Sequence, residues 1–413
     1  MESKKLLVIG LMWPEPSATA AGVRMMQLLR SFIKYGYEIS FVSTASKTDF
    51  SEDLGTLNIK TQYIELNSAS FDEYLVQEAP DVVLFDRFLT EEQFGWRVAE
   101  HCPKALRVLD SEDLQSLRHV REACQKKGFS FSAEFWLQDD KTKREMASIF
   151  RCDLSLIISS FEMDLLIKAV KIEECLLLHQ PFMFDEISQN NDWPEFEDRS
   201  DFIFIGGGKH KPNVDAIKYL QREIWPIIKA SLSDAKCYIY GAYLPQSINE
   251  LHNPKNNFYV RGRAGKVSEV MKLARICLAP LQYGAGIKGK LVDAMLHGTP
   301  SVTTSIGAES MHNDLDWNGH IADNPDEFAK NAIDLYTNKT SWQQAQFNGK
   351  EIINKVYSKP KLETQLLTRI EELRKNIKAH RNNNFIGSLL QHQSLQSTKY
   401  MGKWIEEKNN KVE

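Results

Sequence analysis

Short apolar runs alternate with stretches of helical periodicity along most of the chain. Residues 6–10 (Leu-Leu-Val-Ile-Gly) are apolar throughout, as in a strand buried on both faces, and residues 38–43 form a second such run. Between them Met26, Leu29, Phe32 and Ile33 fall at helical spacing, after a loop over 14–22 rich in Pro, Ser, Ala and Thr. Further strands are predicted at 63–66, 82–85, 105–110 and 154–159. Strands alternating with helices imply a parallel sheet covered on both faces, hence a Rossmann-like lobe. A second series begins at 202–206 and continues at 236–240, 258–260, 276–279 and 301–303. The expected fold class is therefore α/β, with two doubly wound lobes in tandem.

The boundaries follow from breaks in that pattern. The first lobe takes residues 1–182, and an acidic, Asn- and Pro-containing linker takes 183–198. The second lobe takes 199–375. From about residue 359 onward the pattern is helical, broken at Asn382-Asn383-Asn384. Beyond the break Leu389, Leu390, Leu395, Tyr400 and Trp404 offer an apolar side.

Length and charge narrow the class. At 413 residues the chain is too long for one compact domain. Its formal net charge of -4 argues against nucleic acid as a partner held by charge. The six cysteines make no C-x-x-C pair and no histidine cluster has ligand spacing, so reduced thiols and no metal are expected. The first apolar run is too short for a signal-peptide core, and no stretch reaches the roughly 18 apolar residues of a membrane span. A cytoplasmic protein is expected. Residues 118–144 mix Lys and Arg with Phe129, Phe131, Phe135 and Trp136. They read either as a membrane surface (a peripheral contact with the inner face) or acceptor surface, or as a solvated helix with one packed aromatic side. The interrupting acids favour the second.

The most informative stretch is residues 279–300, which reads as strand end, glycine loop, helix, glycine stop and Pro-led strand. Gly284 and Gly286 let backbone approach a ligand, and the following helix start offers free N–H groups to an anion. Lys288 and Lys290 add positive charge, and Asp293, about one turn inside the helix, can accept hydrogen bonds from vicinal hydroxyls. Amides and lysines for phosphate and a carboxylate for ribose suit a nucleotide diphosphate.

This segment, with Thr303-Thr304-Ser305-Ile306-Gly307-Ala308-Glu309 after it, resembles the donor site of retaining GT-B glycosyltransferases, the family 4-like, glycosyl transferases group 1 type. The resemblance extends more weakly over almost the whole chain. It implies two Rossmann-like lobes facing a cleft, and a metal-independent hexosyl transfer from a nucleotide-diphosphate-sugar to a glycan or lipid-linked acceptor. The nucleotide-sugar is a substrate, and no cofactor is expected. The Glu-x7-Glu motif of the family falls on Ala285 and Asp293, so its first carboxylate is missing here. The resemblance also implies that the last helix crosses back to the first lobe, placing residues 383–408 there with a crossing turn at 381–384. Rivals are a non-catalytic binding protein of the same fold and a nucleotide-sugar epimerase or hydrolase.

Other candidates extend the site. Gly207, Lys209 and Lys211 lie where the first strand of the second lobe meets its helix, the place where open α/β sheets bind ligands. Their spacing is not the Gly-x-Gly-x-x-Gly of nicotinamide sites. Arg263 follows a strand end, and Ile287 completes the donor loop. In the first lobe Asp110, Glu112 and Asp113 crowd a strand end, which should raise the pKa of at least one. Glu112 and Asp113 are the acceptor-side and catalytic candidates, with Lys288 as the catalytic cation. Gly22 and Arg24 are expected on the acceptor side too, Arg24 as a phosphate or acceptor contact or as an ordinary exposed arginine.

Overall fold

The computed structural model describes residues 4–188 and 191–410, without the side chains of 393–395. Leu395 therefore lies outside the described side chains. One sheet holds β1 (Lys4–Gly10), β2 (Tyr37–Ser43), β3 (Lys60–Tyr63), β4 (Val82–Asp86), β5 (Leu106–Asp110), β6 (Leu154–Ile157) and β7 (Leu177–His179). Their order is β3-β2-β1-β4-β5-β6-β7, and every pairing is parallel. The second sheet holds β8 (Ser200–Ile205), β9 (Cys237–Tyr240), β10 (Phe258–Gly262), β11 (Ala274–Ala279), β12 (Ser301–Thr303) and β13 (Gly319–Ile321), ordered β10-β9-β8-β11-β12-β13. In both sheets the order reverses beside the first strand, and the crevice at such a switch point is where ligands bind.

Burial explains the continuous apolar runs. On one face of the first sheet Leu7, Ile9, Val83, Phe85 and Leu109 pack with Phe94, Val98, Leu117 and Ile149. On the other, Leu6, Val8, Leu84 and Val108 pack with Leu28, Leu29 and Phe32 of the helix Ala20–Lys34. The second sheet repeats this: Phe202, Phe204 and Leu278 meet Trp225 and Leu335, while Ile203, Ile205 and Cys277 meet Met271 and Ala294. No helix among the described residues is long and apolar enough to cross a membrane.

The return to the first lobe comes earlier than the Asn-rich break suggests. Phe184 of the linker donates to the Tyr357 carbonyl at 2.8 Å, and Lys359 donates back to the Phe184 carbonyl at 2.9 Å, so outgoing and returning chains run side by side. The helix Lys359–Asn383 then places Leu362, Leu366, Leu367, Ile370 and Leu373 in the core of the first lobe. Residues 381–384 separate two helices that both lie on that lobe: Arg381 grips Asp153, and Asn384 donates to the Phe150 carbonyl. The final helix, Phe385–Asn410, is tied down by Arg97–Glu406 and Lys399–Glu100 pairs and by close approach at Gly387 and Gly402. Leu389, Tyr400 and Trp404 stay exposed, contrary to the apolar docking expected of them.

Candidate functional site

The donor-loop candidate leaves β11 at Ala279 and reaches the helix Gly289–Leu296. Lys288 is the N-cap residue, yet no side chain caps the helix, so its first amides keep their capacity for an anion. The Lys288 ammonium is buried and donates to the Gly286 carbonyl at 2.8 Å. Burial brings its pKa down to about 8, against the pull of Glu309 and Glu162. Lys290, half-buried, donates to Asn213 at 2.8 Å, and burial lowers its pKa as well. One turn on, Asp293 is half-buried and its carboxyl is raised by burial. Ile287 packs into an apolar cluster with Ile158 and Leu291, so only its backbone can serve a ligand.

Facing this loop is the C-terminal edge of the first sheet. Asp86 ends β4, Asp110 ends β5, and Glu112 and Asp113 follow. Arg87 and Glu112 both hold left-handed backbone, with φ of 69° and 58°. For non-glycine residues such strain persists only where surroundings enforce it, and it clusters at functional sites. Burial, then the neighbouring Asp110, pushes Glu112 up to about 8. That meets the expectation from crowded carboxylates. Asp113 goes the other way: burial opposes its charge, but Arg118, His210 and Arg87 hold it below the usual range. One oxygen each of Asp86, Asp110 and Glu112 is buried without a hydrogen-bond partner.

The raised Glu112 carboxyl has a measurable consequence. Between about pH 4.3, where a free Glu titrates, and about 8, where this one does, the folded protein holds more protons than the unfolded. Stability from this group is present at low pH and lost as pH rises through that window. Glu112→Gln should therefore raise the melting temperature relative to wild type more at pH 9 than at pH 5. Equal differences at both values would contradict the burial of an ionisable carboxyl here.

Arg24 is neither exposed nor aimed at the cleft. Its guanidinium donates to Asp110 at 2.7 and 3.0 Å and to the Gln180 carbonyl, entirely inside the lobe. Gly22 is required beside it, because a Cβ there would lie 2.4 Å from the Glu15 backbone.

The lobes meet through backbone. A Cβ on Gly289 would lie 2.6 Å from the Cβ of Ala20, one on Gly286 2.8 Å from that of Asp113, and one on Gly207 3.7 Å from the Ala18 carbonyl. The helices starting at Ala20 and Gly289 thus point their positive ends at the same crevice. Glu162 and Arg121 of the first lobe also bond the donor loop. Both escaped the sequence reading: Ser159-x-x-Glu162 reads as a helix-capping box, and Arg121 as one cation among many.

Three candidates stand apart on the rim. The Lys209 ammonium lies 3.6 Å above the Tyr243 ring, whose hydroxyl donates to Glu15 of the first lobe at 3.1 Å. Lys211 pairs with Glu122, and Arg263 lies 4.5 Å from the Phe50 ring. All three are exposed, and none bonds the donor loop in this arrangement.

Residues 199–338 match the family of glycosyl transferases group 1. An uncharacterized 44.6 kDa protein in the cps region of Klebsiella pneumoniae is 23% identical over 227 residues, 53% of this chain and 56% of that one, so the chain spans about half the length of that relative. Among solved structures, S. aureus TarM in complex with fondaparinux, α-GlcNAc-glycerol and UDP is similar with a TM-score of 0.66 at 10% identity, over 89% of this chain and 99% of that one. Anabaena HepE in complex with UDP and glucose has a TM-score of 0.66 at 13% identity, over 90% and 100%. At such identities the likeness establishes the fold. The chain has the GT-B fold, and residues 199–338 within its second lobe are similar to the glycosyl transferases group 1 family.

Proposed function

We propose that this chain is a glycosyltransferase that moves a hexose from a nucleoside diphosphate to a hydroxyl of a glycan or lipid-linked acceptor, with retention and without a metal. The observation that carries the reading is the head of the helix Gly289–Leu296: uncapped amides, two lysines, and Asp293 one turn inside. The amides and Lys288 neutralise the departing diphosphate, and Asp293 accepts from the ribose. The UDP bound in TarM and in HepE supports a nucleotide on this fold. Glu112 and Asp113 orient the acceptor from the opposite lobe. Rate then comes from positioning and from charge stabilisation in a closed cleft, and no side chain serves as covalent nucleophile.

The test is a panel of UDP, GDP, ADP and TDP in EDTA, read as melting temperature. A binder at a hundredfold excess over Kd adds about 2.7 kcal/mol. Lys288→Ala should weaken that binder by about 1.5–3 kcal/mol, the range for hydrogen bonds to charged groups. Binding that requires Mg²⁺ or Mn²⁺ would overturn the metal-free reading. Ala285 favours one rival, because its methyl packs on the apolar core of the first lobe where the family motif has a carboxylate. A non-catalytic protein would bind the nucleotide yet transfer no sugar from any donor.

A further inference from the structure

Glu162 occupies the third position of the helix Ser160–Leu165, whose N-cap Ser159 accepts from the Glu162 amide at 3.2 Å. A capping box would return the glutamate side chain to the Ser159 amide. Instead one carboxyl oxygen accepts from the amide of Leu114 at 3.0 Å and from that of Gly286, across the cleft, at 2.9 Å. The other oxygen is buried without a hydrogen-bond partner. Arg121 grips the same turn from its other side. It donates to the Gly284 carbonyl at 2.8 Å and to both oxygens of Glu309 at 2.7 and 2.8 Å. The first lobe therefore holds the turn by the carbonyl before Ala285 and the amide after it. Gly286 must be glycine for this, with φ of 61° and Asp113 and Ile158 pressed against it.

We infer that Glu162 is a positioning residue of the donor site: from the first lobe it fixes the Gly284–Gly286 turn that aims Lys288, and keeps one oxygen for the bound donor. This rests on the donor-site reading above. The chemistry of the free oxygen agrees with it. Burial, reinforced by Asp113, pushes the carboxyl up to about 8, against its two amide bonds and Lys288. Arg24 also faces it through its field. At neutral pH the group carries a proton, so the free oxygen can donate to an oxygen of the diphosphate or sugar. Ionised, it would repel the diphosphate. Glutamine keeps the carbonyl for both amides and offers N–H in place of O–H.

The experiment measures affinity for whichever of UDP, GDP, ADP and TDP stabilises the wild-type protein most, by calorimetry from pH 6.5 to 9. Glu162→Ala should weaken binding tenfold or more at pH 7 while remaining folded. Glu162→Gln should stay within about twofold of wild type there. Lys288 titrates in both proteins, so the decisive quantity is their affinity ratio, which should move toward Glu162→Gln by at least threefold as pH rises. Loss in both variants, or a ratio that does not change with pH, would overturn the proton-holding role. Wild-type affinity in Glu162→Ala would overturn the inference alone. A wild-type protein that binds none of the four would overturn the donor-site reading and this inference with it.

Discussion

A chain cut after Ser358 is expected to be insoluble, while one cut after Asn384 remains folded. The first cut removes Leu362, Leu366, Leu367, Ile370 and Leu373, all buried against β1, β4, β5 and the helix Ala20–Lys34. Full burial of such a side chain is worth about 1.5–3 kcal/mol. Five together rival the entire stability of a domain, about 5–15 kcal/mol. The same cut also takes Arg381 from Asp153, whose two oxygens it engages at 2.7 Å, and among the described residues leaves that buried carboxylate with Arg107 alone. Removing only the last helix is different in kind. Its apolar residues Tyr400, Met401 and Trp404 are exposed already, and its anchors are ion pairs such as Lys399–Glu100. Soluble yield and melting temperature of the two truncations decide the matter. A protein ending at Ser358 with the melting temperature of the full chain would refute the assignment of the helix Lys359–Asn383 to the first lobe's core.

That helix shows where sequence pattern stops being informative. Its stripe of Leu362, Leu366, Ile370 and Leu373 has clear helical spacing, but a stripe does not say which sheet it covers. The Asn triplet is the stronger local signal, and it marks only the gap between two helices on one lobe. Strands were legible where a run of four or more apolar residues lies within them, as in β1, β4 and β11. Of the four edge strands only β10 was read in place. β3 runs over Lys60–Tyr63 with every residue exposed, three residues before the apolar pair at Ile64 and Leu66 suggests. β7 and β13, three residues each at the sheet margins, fall outside every predicted run.

The candidate site divides along the same line. Features fixed by local chain geometry could be read: Gly284 and Gly286 lie in a loop and Lys288 stands at the helix start. Residues whose role depends on the opposite lobe could not. Lys209, Lys211 and Arg263 carry the right charge, yet the fold sends them to Tyr243, Glu122 and Phe50 on the rim. Conversely, Glu162 and Arg121 become donor-loop partners only because Ser159-Ser160-Phe161 and the helix Gln115–Lys127 face that loop across the cleft. Arg87, on left-handed backbone at the end of β4, carries no sequence signal for its place beside Glu112 and Asp113.

Arg24 is where these two kinds of information conflict, and the conflict can be measured. From sequence it is either a cleft arginine for phosphate or acceptor or an ordinary exposed one, and both readings leave its head group outside the core. In the fold its Nε and Nη2 hold Asp110, and the remaining nitrogen meets the Gln180 carbonyl, with both side chains almost fully buried. Breaking such a pair from one side leaves an uncompensated charge and costs about 3–5 kcal/mol. Arg24→Ala should thus lower the melting temperature sharply, at about 2–4 °C per kcal/mol for a domain of this size. The loss should grow with pH. The guanidinium now holds the raised Glu112 carboxyl down, so without it Glu112 titrates higher still in the folded state and stability falls further as pH rises past its unfolded value. Asp110→Asn in the Arg24→Ala background removes the stranded charge and should recover part of the loss. Arg24→Lys should fall between, since an ammonium can meet Asp110 but cannot also reach the Gln180 carbonyl in the same plane. An Arg24→Ala protein that melts like wild type but turns over acceptor poorly would return this residue to the cleft, and with it the acceptor role suggested by its place in the chain.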